Sequence, residues 1–368
     1  MGMPLWTWLL PLVAMVLLVT GALIPIGVVL AILCSAALIG AVIASVHHAE
    51  VVAHRLGEPF GTLVLTASIT IIEVALIVTL MLGGGAQKSA LPRDTIFSAI
   101  MITCNAVVGL CLVIGGLRHH EQSFHIVGTN TALATLIALS TLSLVFPAFT
   151  TSSAGSTYSP AQLAFAAVTS LALWSAFVFV QTVRHRDYFL PVENIADEQS
   201  HAPGGRPPPI LRQTLFSTRQ AWASLGLLFV SLVAVVGLSK VISHNIEGAL
   251  EAAGAPPAVL GIIVAMLVLL PETSAAVRAA YANRLQTSLN LALGSALSSI
   301  GLTIPVVALT ATLVGMPLVL GVEPKELVLL VLTFLVASIT LASGRTHVLL
   351  GAVHLVIFAA FLFLALVP

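Results

Sequence analysis

Charged residues are scarce in this sequence. Asp, Glu, Lys and Arg make up 8% of its 368 residues, and 14 acidic and 14 basic side chains give a formal net charge of zero. A soluble protein of this length carries about three times that share of charged groups. The sequence also has no basic run of the kind that binds nucleic acid or strongly anionic lipid.

Cysteine is equally scarce, and its placement argues against two structural roles. The three cysteines are Cys34, Cys104 and Cys111, and each lies within an apolar stretch. No spacing among them matches a disulfide framework or a zinc site with thiolate ligands. We therefore expect them to be small packing residues.

Long apolar runs, in contrast, are abundant. Hydrophobic residues make up 58% of the chain, and its mean hydropathy is +1.10. Only α-helices and closed barrels satisfy their backbone polar groups in lipid, and a barrel would show short alternating segments instead. The composition therefore predicts an all-α polytopic membrane protein of about 11 transmembrane helices. The candidate spans lie approximately at residues 4–24, 27–47, 60–83, 95–117, 126–146, 161–183, 220–241, 257–280, 287–314, 326–343 and 347–367.

The spans divide around one polar segment. Because five is an odd number, two equivalent halves of five spans must enter the membrane from opposite sides, which is the inverted-repeat design of many secondary transporters. The first span has no charged start and no small-residue cleavage site, so we expect a retained helix and not a signal peptide. The predicted units are an N-terminal transmembrane helix at 1–26, a first five-helix repeat at 27–184, a cytoplasmic linker at 185–218 and a second five-helix repeat at 219–368.

Lysine and arginine are distributed unevenly between the two predicted sides. The excess on the linker side predicts that this side is cytoplasmic, with the N-terminus inside and the C-terminus outside. We expect a multi-pass protein of a bacterial inner membrane. The linker side holds Arg55, Arg118, Arg184, Arg186, Arg206, Arg212, Arg219, Arg278, Arg284 and Arg345, and the other side holds Lys88, Arg93, Lys240 and Lys325.

One carboxylate, Glu73, interrupts the otherwise uncharged stretch from Pro59 to Gly83. An ionised carboxylate in mid-membrane is costly unless it faces a wet cavity, a partner or an ion, and such a residue is a functional-site hypothesis by default. Thr62, Thr66 and Thr70 recur at helical spacing before it, which places hydroxyls and the carboxylate on one helix face.

A second such stretch carries Glu272 at the corresponding place in the other half. Pro271 precedes this acid and cannot donate an N–H to the carbonyl of Leu267, so a backbone oxygen is freed close to the carboxylate. The alternative is that each glutamate is protonated and merely hydrogen-bonded within a helix bundle. Two acids at matching places favour a shared site near the midplane instead.

Each acidic span is followed by a span with polar groups of its own. Asn105 is the least ordinary of these, because a buried amide must satisfy several hydrogen-bonding valences and its oxygen suits a metal cation. The hydroxyl residues also have a simpler explanation in close helix packing. They are Ser98 and Thr103 in the first half, and Ser295, Ser298, Ser299 and Thr303 in the second, where Ser295, Ser299 and Thr303 share a helix face.

With these residues, the chain resembles the calcium/cation:proton antiporter family, and most closely its bacterial Cha-type sodium/calcium:proton branch. The resemblance covers nearly the whole chain after the first span. The stretches that carry it are GEPFGTLVLTASITIIE at 57–73, IGGLRHHEQSF at 114–124, QTVRHRDYF at 181–189 and ASGRTHVLLGAVHL at 342–355.

The resemblance implies exchange of a cation for protons by alternating access, with Glu73 and Glu272 shared by cation and proton. It also implies that Asn105 and Ser298 or Ser299 contribute to the site, to which we add Thr70. No cofactor is expected. Typical calcium exchangers have Gly-Asn-x-x-Glu in both repeats, but the amide is missing before both acids here. The cation is therefore Ca²⁺, or else Na⁺ or K⁺.

Two other functions compete with this interpretation. A cation channel would need a continuous pore, whereas an inverted duplication with one midplane acid per half fits alternating access better. An intramembrane metal-dependent hydrolase would need ligands such as His47, His48, Glu50 and His54, but these do not form an H-E-x-x-H pattern. We interpret His48 and Glu58 as members of a proton path, and we leave the oligomeric state open.

Overall fold

The computed structural model describes residues 4–56, 60–190 and 218–367. Nearly all of them are helical. The helices are α1 (Leu5–Leu23), α2 (Val28–Leu56), α3 (Phe60–Gly84), α4 (Leu91–His119), α5 (Ile126–Ala148), α6 (Pro160–Arg184), α7 (Thr218–Ala252), α8 (Ala258–Tyr281), α9 (Leu285–Val314), α10 (Pro324–Ala342) and α11 (Val348–Leu366). The strands β1 (Gln122–Ser123) and β2 (Arg345–Thr346) form one short antiparallel pair.

These helices confirm the predicted fold class. Within the described ranges, ten helices are long and apolar enough to cross a membrane, and the apolar part of α3 at Ser68–Gly84 makes an eleventh. Large apolar side chains are exposed on α1, α6 and α11, as expected for lipid-facing helices. In contrast, α4 is buried along most of its length and forms the centre of the bundle.

Two helices extend beyond the predicted spans. Helix α2 continues to Leu56 and α7 to Ala252, about ten residues further than the apolar runs indicate in each case. An apolar run marks the part of a helix that lies in lipid. The helix itself can extend further, until residues such as glycine and proline end it. For α7 that point is Gly254, which has a φ of +67°, followed by Pro256.

In the part of the chain that the structure describes, three helices contain wider π-helical turns, which occur frequently at functional sites. The turn in α4 spans Ile102–Val107 and contains Asn105. Helix α5 has one at Thr141–Val145, and α6 ends in one at Val180–Arg184. The first of these turns lies in the buried centre of the bundle.

The packing of the helices repeats between the two predicted halves. Helix α4 packs against α8 and α11, and its counterpart α9 packs against α3 and α6. Helices α2 and α7 pack against each other, and α1 packs against both. This is the pattern that two halves of equal construction produce. The exact boundaries of the halves stay a prediction.

Several contacts join loops at the ends of the helices on each of the two predicted sides. On the linker side, Arg55 donates to the hydroxyl of Thr218 at 3.1 Å, and the Arg118 guanidinium lies 3.9 Å from the centroid of the Tyr281 ring. On the other side, the Val319 amide donates to the Ser89 carbonyl at 3.0 Å. Each of these contacts joins loops that are predicted to lie on the same side.

Candidate cation site

The Glu73 side chain lies in the buried centre of the bundle. It is 3% exposed, and its Oε2 accepts a hydrogen bond of 2.6 Å from the Ser299 hydroxyl on α9. Thr70, one turn earlier on α3, is also buried. The contact joins an acid of the first half to a hydroxyl of the second.

Glu272 also contacts α9. It is partly buried on α8, and its Oε2 accepts a hydrogen bond from the Ser295 hydroxyl. Because Ser295 and Ser299 are one helical turn apart, they lie on the same face of α9. The two carboxylates therefore meet along one face of one helix.

The backbone next to Glu272 is short of one hydrogen bond. Pro271 lies inside α8, so the Leu267 carbonyl receives no N–H from it. Nearby hydroxyls bond to other carbonyls of this region: Thr273 donates to the Leu269 carbonyl and Ser274 to the Pro271 carbonyl, both at 2.7 Å. The helix thus continues through the proline, with the Leu267 carbonyl oxygen one turn before Pro271.

Ser298 faces a different neighbour. Its hydroxyl accepts a hydrogen bond of 3.1 Å from the indole nitrogen of Trp174 on α6. Gly301 makes this contact possible, because a Cβ added there would lie 2.4 Å from the Trp174 Cβ. Sequence reasoning missed Trp174, although a tryptophan inside an apolar span is a signal for a buried hydrogen-bond partner.

Asn105 is engaged by α10 and α11. Its Nδ2 lies 2.9 Å from the Thr333 hydroxyl, and its Oδ1 lies 3.2 Å from Nδ1 of His354. Among the described residues, neither carboxylate is a hydrogen-bond partner of this amide. Sequence reasoning overlooked Thr333 as a partner of this amide.

Two further hydroxyls within the long apolar helices are buried without a hydrogen-bond partner among the described residues. They belong to Thr103 in the π-turn of α4 and to Thr303, one turn after Ser299 on the same face of α9. Many other helical threonines donate to the carbonyl four residues earlier, as Thr95 and Thr310 do. Unpartnered oxygens in a dry interior are costly unless something else binds them.

Of the two candidates for a proton path, His48 and Glu58, the structure describes His48. His48 is buried at the inner part of α2, where its Nε2 lies 2.9 Å from the Thr7 carbonyl of α1. Glu58, Thr62 and Thr66 lie outside the residues or side chains that the structure describes. Within the described residues, no group of three or more His, Cys, Asp or Glu side chains could hold a metal ion.

Together these features describe a hydroxyl-lined site with two carboxylates inside a helical membrane protein. Carboxylate and hydroxyl oxygens bind hard cations, and intramembrane acids mark ion and proton pathways. The fold and the site are those of the class of secondary cation transporters.

The chain belongs to the sodium/calcium exchanger family. The family described as "Sodium/calcium exchanger protein" matches residues 8–183 and 223–367, which include both glutamates and all of the serines discussed above. Membership makes this chain a multi-pass cation antiporter, and the family is one of transporters and not of enzymes.

Named relatives cover almost the whole chain. The protein y4hA of Sinorhizobium fredii, named as an ionic transporter, is 47% identical over 99% of this chain and 97% of its own length. The sodium-potassium/proton antiporter ChaA of Escherichia coli is 33% identical over 96% of this chain and 93% of its own length. A Ca²⁺/H⁺ antiporter of Aphanothece halophytica is 26% identical over 75% of each.

Solved structures share the fold. YfkE aligns over 98% of this chain and 100% of its own, with a TM-score of 0.73 and 18% identity. The H⁺/Ca²⁺ exchanger CAX aligns over 97% of this chain and 87% of its own, with a TM-score of 0.72 and 13% identity. At these identities the likeness concerns the fold alone.

Proposed function

We propose that this protein exchanges a monovalent or divalent cation for protons by alternating access, and that Glu73 and Glu272 bind both ions in turn. The observation that carries the proposal is the pair of hydrogen bonds from Ser295 and Ser299, which holds both acids against one face of α9. Two carboxylates bonded to serines one helical turn apart repel each other when both are ionised. A cation or protons can each relieve that repulsion, so the two compete.

Serine hydroxyls suit a site that alternates between these occupants. A hydroxyl donates to an ionised carboxylate, and after rotation it offers its lone pairs to a cation. Ser295 and Ser299 would therefore serve the empty and the loaded states with the same atoms. Thr70 and Asn105 are the further candidates for the binding site, whereas Ser298, which the sequence also suggested, accepts a hydrogen bond from Trp174 and is the weaker candidate.

We propose Na⁺ or K⁺ as the preferred cation. Calcium usually takes six to eight oxygen ligands, and the position three residues before each acid, an amide in typical calcium exchangers, is Thr70 in one half and Leu269 in the other. The name of the ChaA relative also specifies sodium and potassium. Calcium remains the alternative substrate because the Aphanothece relative is named for it.

The proposal also includes the orientation of the protein in the membrane and the path of the protons. We place the protein in a bacterial inner membrane with its N-terminus in the cytoplasm. Protons would reach the acids from the cytoplasmic side past Glu58 and His48.

The test is proton flux in proteoliposomes, measured with a pH-sensitive dye while Na⁺, K⁺ and Ca²⁺ are added separately. Wild-type protein should move protons against at least one of them, and Glu73→Gln and Glu272→Gln should each reduce the rate to about 1% or less, as expected when a buried charged partner is lost. Glu and Gln are nearly isosteric, so folding should persist.

Glu251→Gln is the matched control, because Glu251 is exposed at the end of α7. Near wild-type exchange by Glu73→Gln would refute the role of that acid. Cation flux without any counterflow of protons would indicate a channel.

A further inference from the structure

A second polar cluster lies in the membrane interior, built around a histidine. His354 on α11 is fully buried, its Nδ1 lies 3.2 Å from Oδ1 of Asn105, and its Nε2 lies 3.1 Å from the Thr340 hydroxyl. Asn105 in turn lies 2.9 Å from the Thr333 hydroxyl through its Nδ2. The cluster joins α4 of the first half to α10 and α11 of the second.

The tautomer of His354 and the orientation of the Asn105 amide depend on each other. An amide oxygen only accepts and an amide nitrogen only donates, so Oδ1 of Asn105 can face Nδ1 only when that nitrogen carries a proton. Thr340 is then free to donate to Nε2, because a hydroxyl both donates and accepts. Moving the proton to Nε2 would require the amide to turn over.

The backbone around this contact leaves little room for adjustment. A Cβ added to Gly109 would lie 3.1 Å from the Gly351 carbonyl oxygen and from the His354 Cβ. A Cβ added to Gly351 would lie 2.7 Å from the backbone nitrogen of Val113. Because α4 and α11 are in backbone contact within about one turn of Asn105, the imidazole ring is held at a fixed distance from the amide.

We propose that His354 is a positioning residue that fixes the amide of Asn105 with its oxygen on the α11 side. This deepens the proposed function and rests on it, because the amide matters for transport when Asn105 contributes to cation binding. An amide oxygen has two lone pairs, so it can accept from His354 and still offer one to a cation. With the amide turned over, the same position would present N–H donors, which repel a cation.

Two substitutions of His354 separate this role from simple packing. The side-chain nitrogen of Asn occupies the place of Nδ1, so His354→Asn keeps a donor for Asn105 and loses the contact with Thr340. The nitrogen of Gln occupies the place of Nε2, so His354→Gln does the opposite. Thr340→Val is the matched control, because it removes the Thr340 contact and leaves the Asn105 contact intact.

The experiment measures apparent cation affinity by exchange in proteoliposomes and, independently, by the cation-dependent rise in melting temperature in detergent. His354→Gln should weaken affinity about five- to tenfold, the size of one hydrogen bond, with the maximal rate little changed. His354→Asn and Thr340→Val should stay within about twofold. In an Asn105→Ala background, His354→Gln should add nothing, since residues that act through one group are not additive.

Other results would overturn the proposal. Equal losses in His354→Gln and His354→Asn, or a loss that adds fully to that of Asn105→Ala, would assign His354 to packing alone. An Asn105→Ala protein with wild-type affinity would also refute it, while the role of the two glutamates could still hold. If wild-type protein exchanges no cation, the proposed function fails, and the melting experiment then tests His354 by itself: an unchanged cation-dependent shift in His354→Gln overturns the positioning role.

Discussion

At the scale of single residues, the site departs from the symmetry of its two halves. A strict pseudo-twofold axis would give each acid a donor from the span after the other acid. Glu73 follows that rule through Ser299 of α9, but Glu272 uses Ser295 of the same helix. On α4, the polar residue Asn105 bonds to α10 and α11 instead. Helix α9 is therefore the common support of both carboxylates.

This asymmetry predicts different effects for three neighbouring serines. Ser295→Ala and Ser299→Ala should each lower apparent cation affinity about tenfold, because a hydrogen bond to a charged group is lost. Ser298→Ala should change it by less than about twofold, since its hydroxyl accepts from Trp174 and the loss of one neutral bond is modest. Affinity titrations of the three variants in proteoliposomes check the order. A larger loss in Ser298→Ala than in the other two would place that hydroxyl at the cation instead.

At the scale of helices, close packing at Gly301 sets the position of the serines. A Cβ at Gly301 would lie 2.4 Å from the Trp174 Cβ, whereas a Cβ at Gly294 on the same helix meets nothing within 4 Å. We expect Gly301→Ala to destabilise the protein by about 1–3 kcal/mol through overpacking. Gly294→Ala should instead stabilise it by about 0.5–1 kcal/mol, because alanine loses less backbone entropy in a helix. Unfolding in detergent compares the two, and equal stabilities would contradict the packing of α6 on α9.

The helices themselves could be predicted from sequence, but several local features could not. Apolar runs determine where a chain can cross lipid, and a charged residue inside a run is visible without a structure, as Glu73 and Glu272 are. The π-turn at Asn105 has no comparable signal, because it results from how α4 packs against neighbours distant in sequence. The contact between Asn105 and His354 likewise depends on the close approach of Gly109 and Gly351. Ser295 was recognisable only as a member of a helix face, without its partner.

At the scale of the whole molecule, the loop contacts and the distribution of basic residues predict one topology. Contacts such as Arg55 to Thr218 and Gln122 to Thr346 join loops of the linker side. The excess of arginine there assigns that side to the cytoplasm. Reporter fusions at the N-terminus and near Gly204 should therefore both report a cytoplasmic location, and a C-terminal fusion should report the outside. Both termini on one side would contradict the count of eleven spans.

The coupling between protons and cations is also a property of the whole molecule, since neither half alone contains both acids. If the two carboxylates bind either protons or a cation, lowering the pH fills them with protons and raises the apparent KM for the cation. The maximal rate at saturating cation should change little, because enough cation displaces the protons. In the pH range where the acids titrate, lowering the pH by one unit weakens the apparent cation affinity by up to about tenfold for each proton that must leave before the cation binds.

Dye-monitored exchange between about pH 6 and pH 9 measures this dependence for Na⁺, K⁺ and Ca²⁺ in turn, with wild-type protein and with Glu251→Gln as the control. Because protons and the cation compete, alkaline conditions favour cation loading and acid conditions oppose it. A protein with this behaviour expels cations when the cell interior is alkaline and protons move inward. A KM that stays constant across that range would mean that protons travel by a route separate from the two glutamates, and His48 would then be the first residue to substitute.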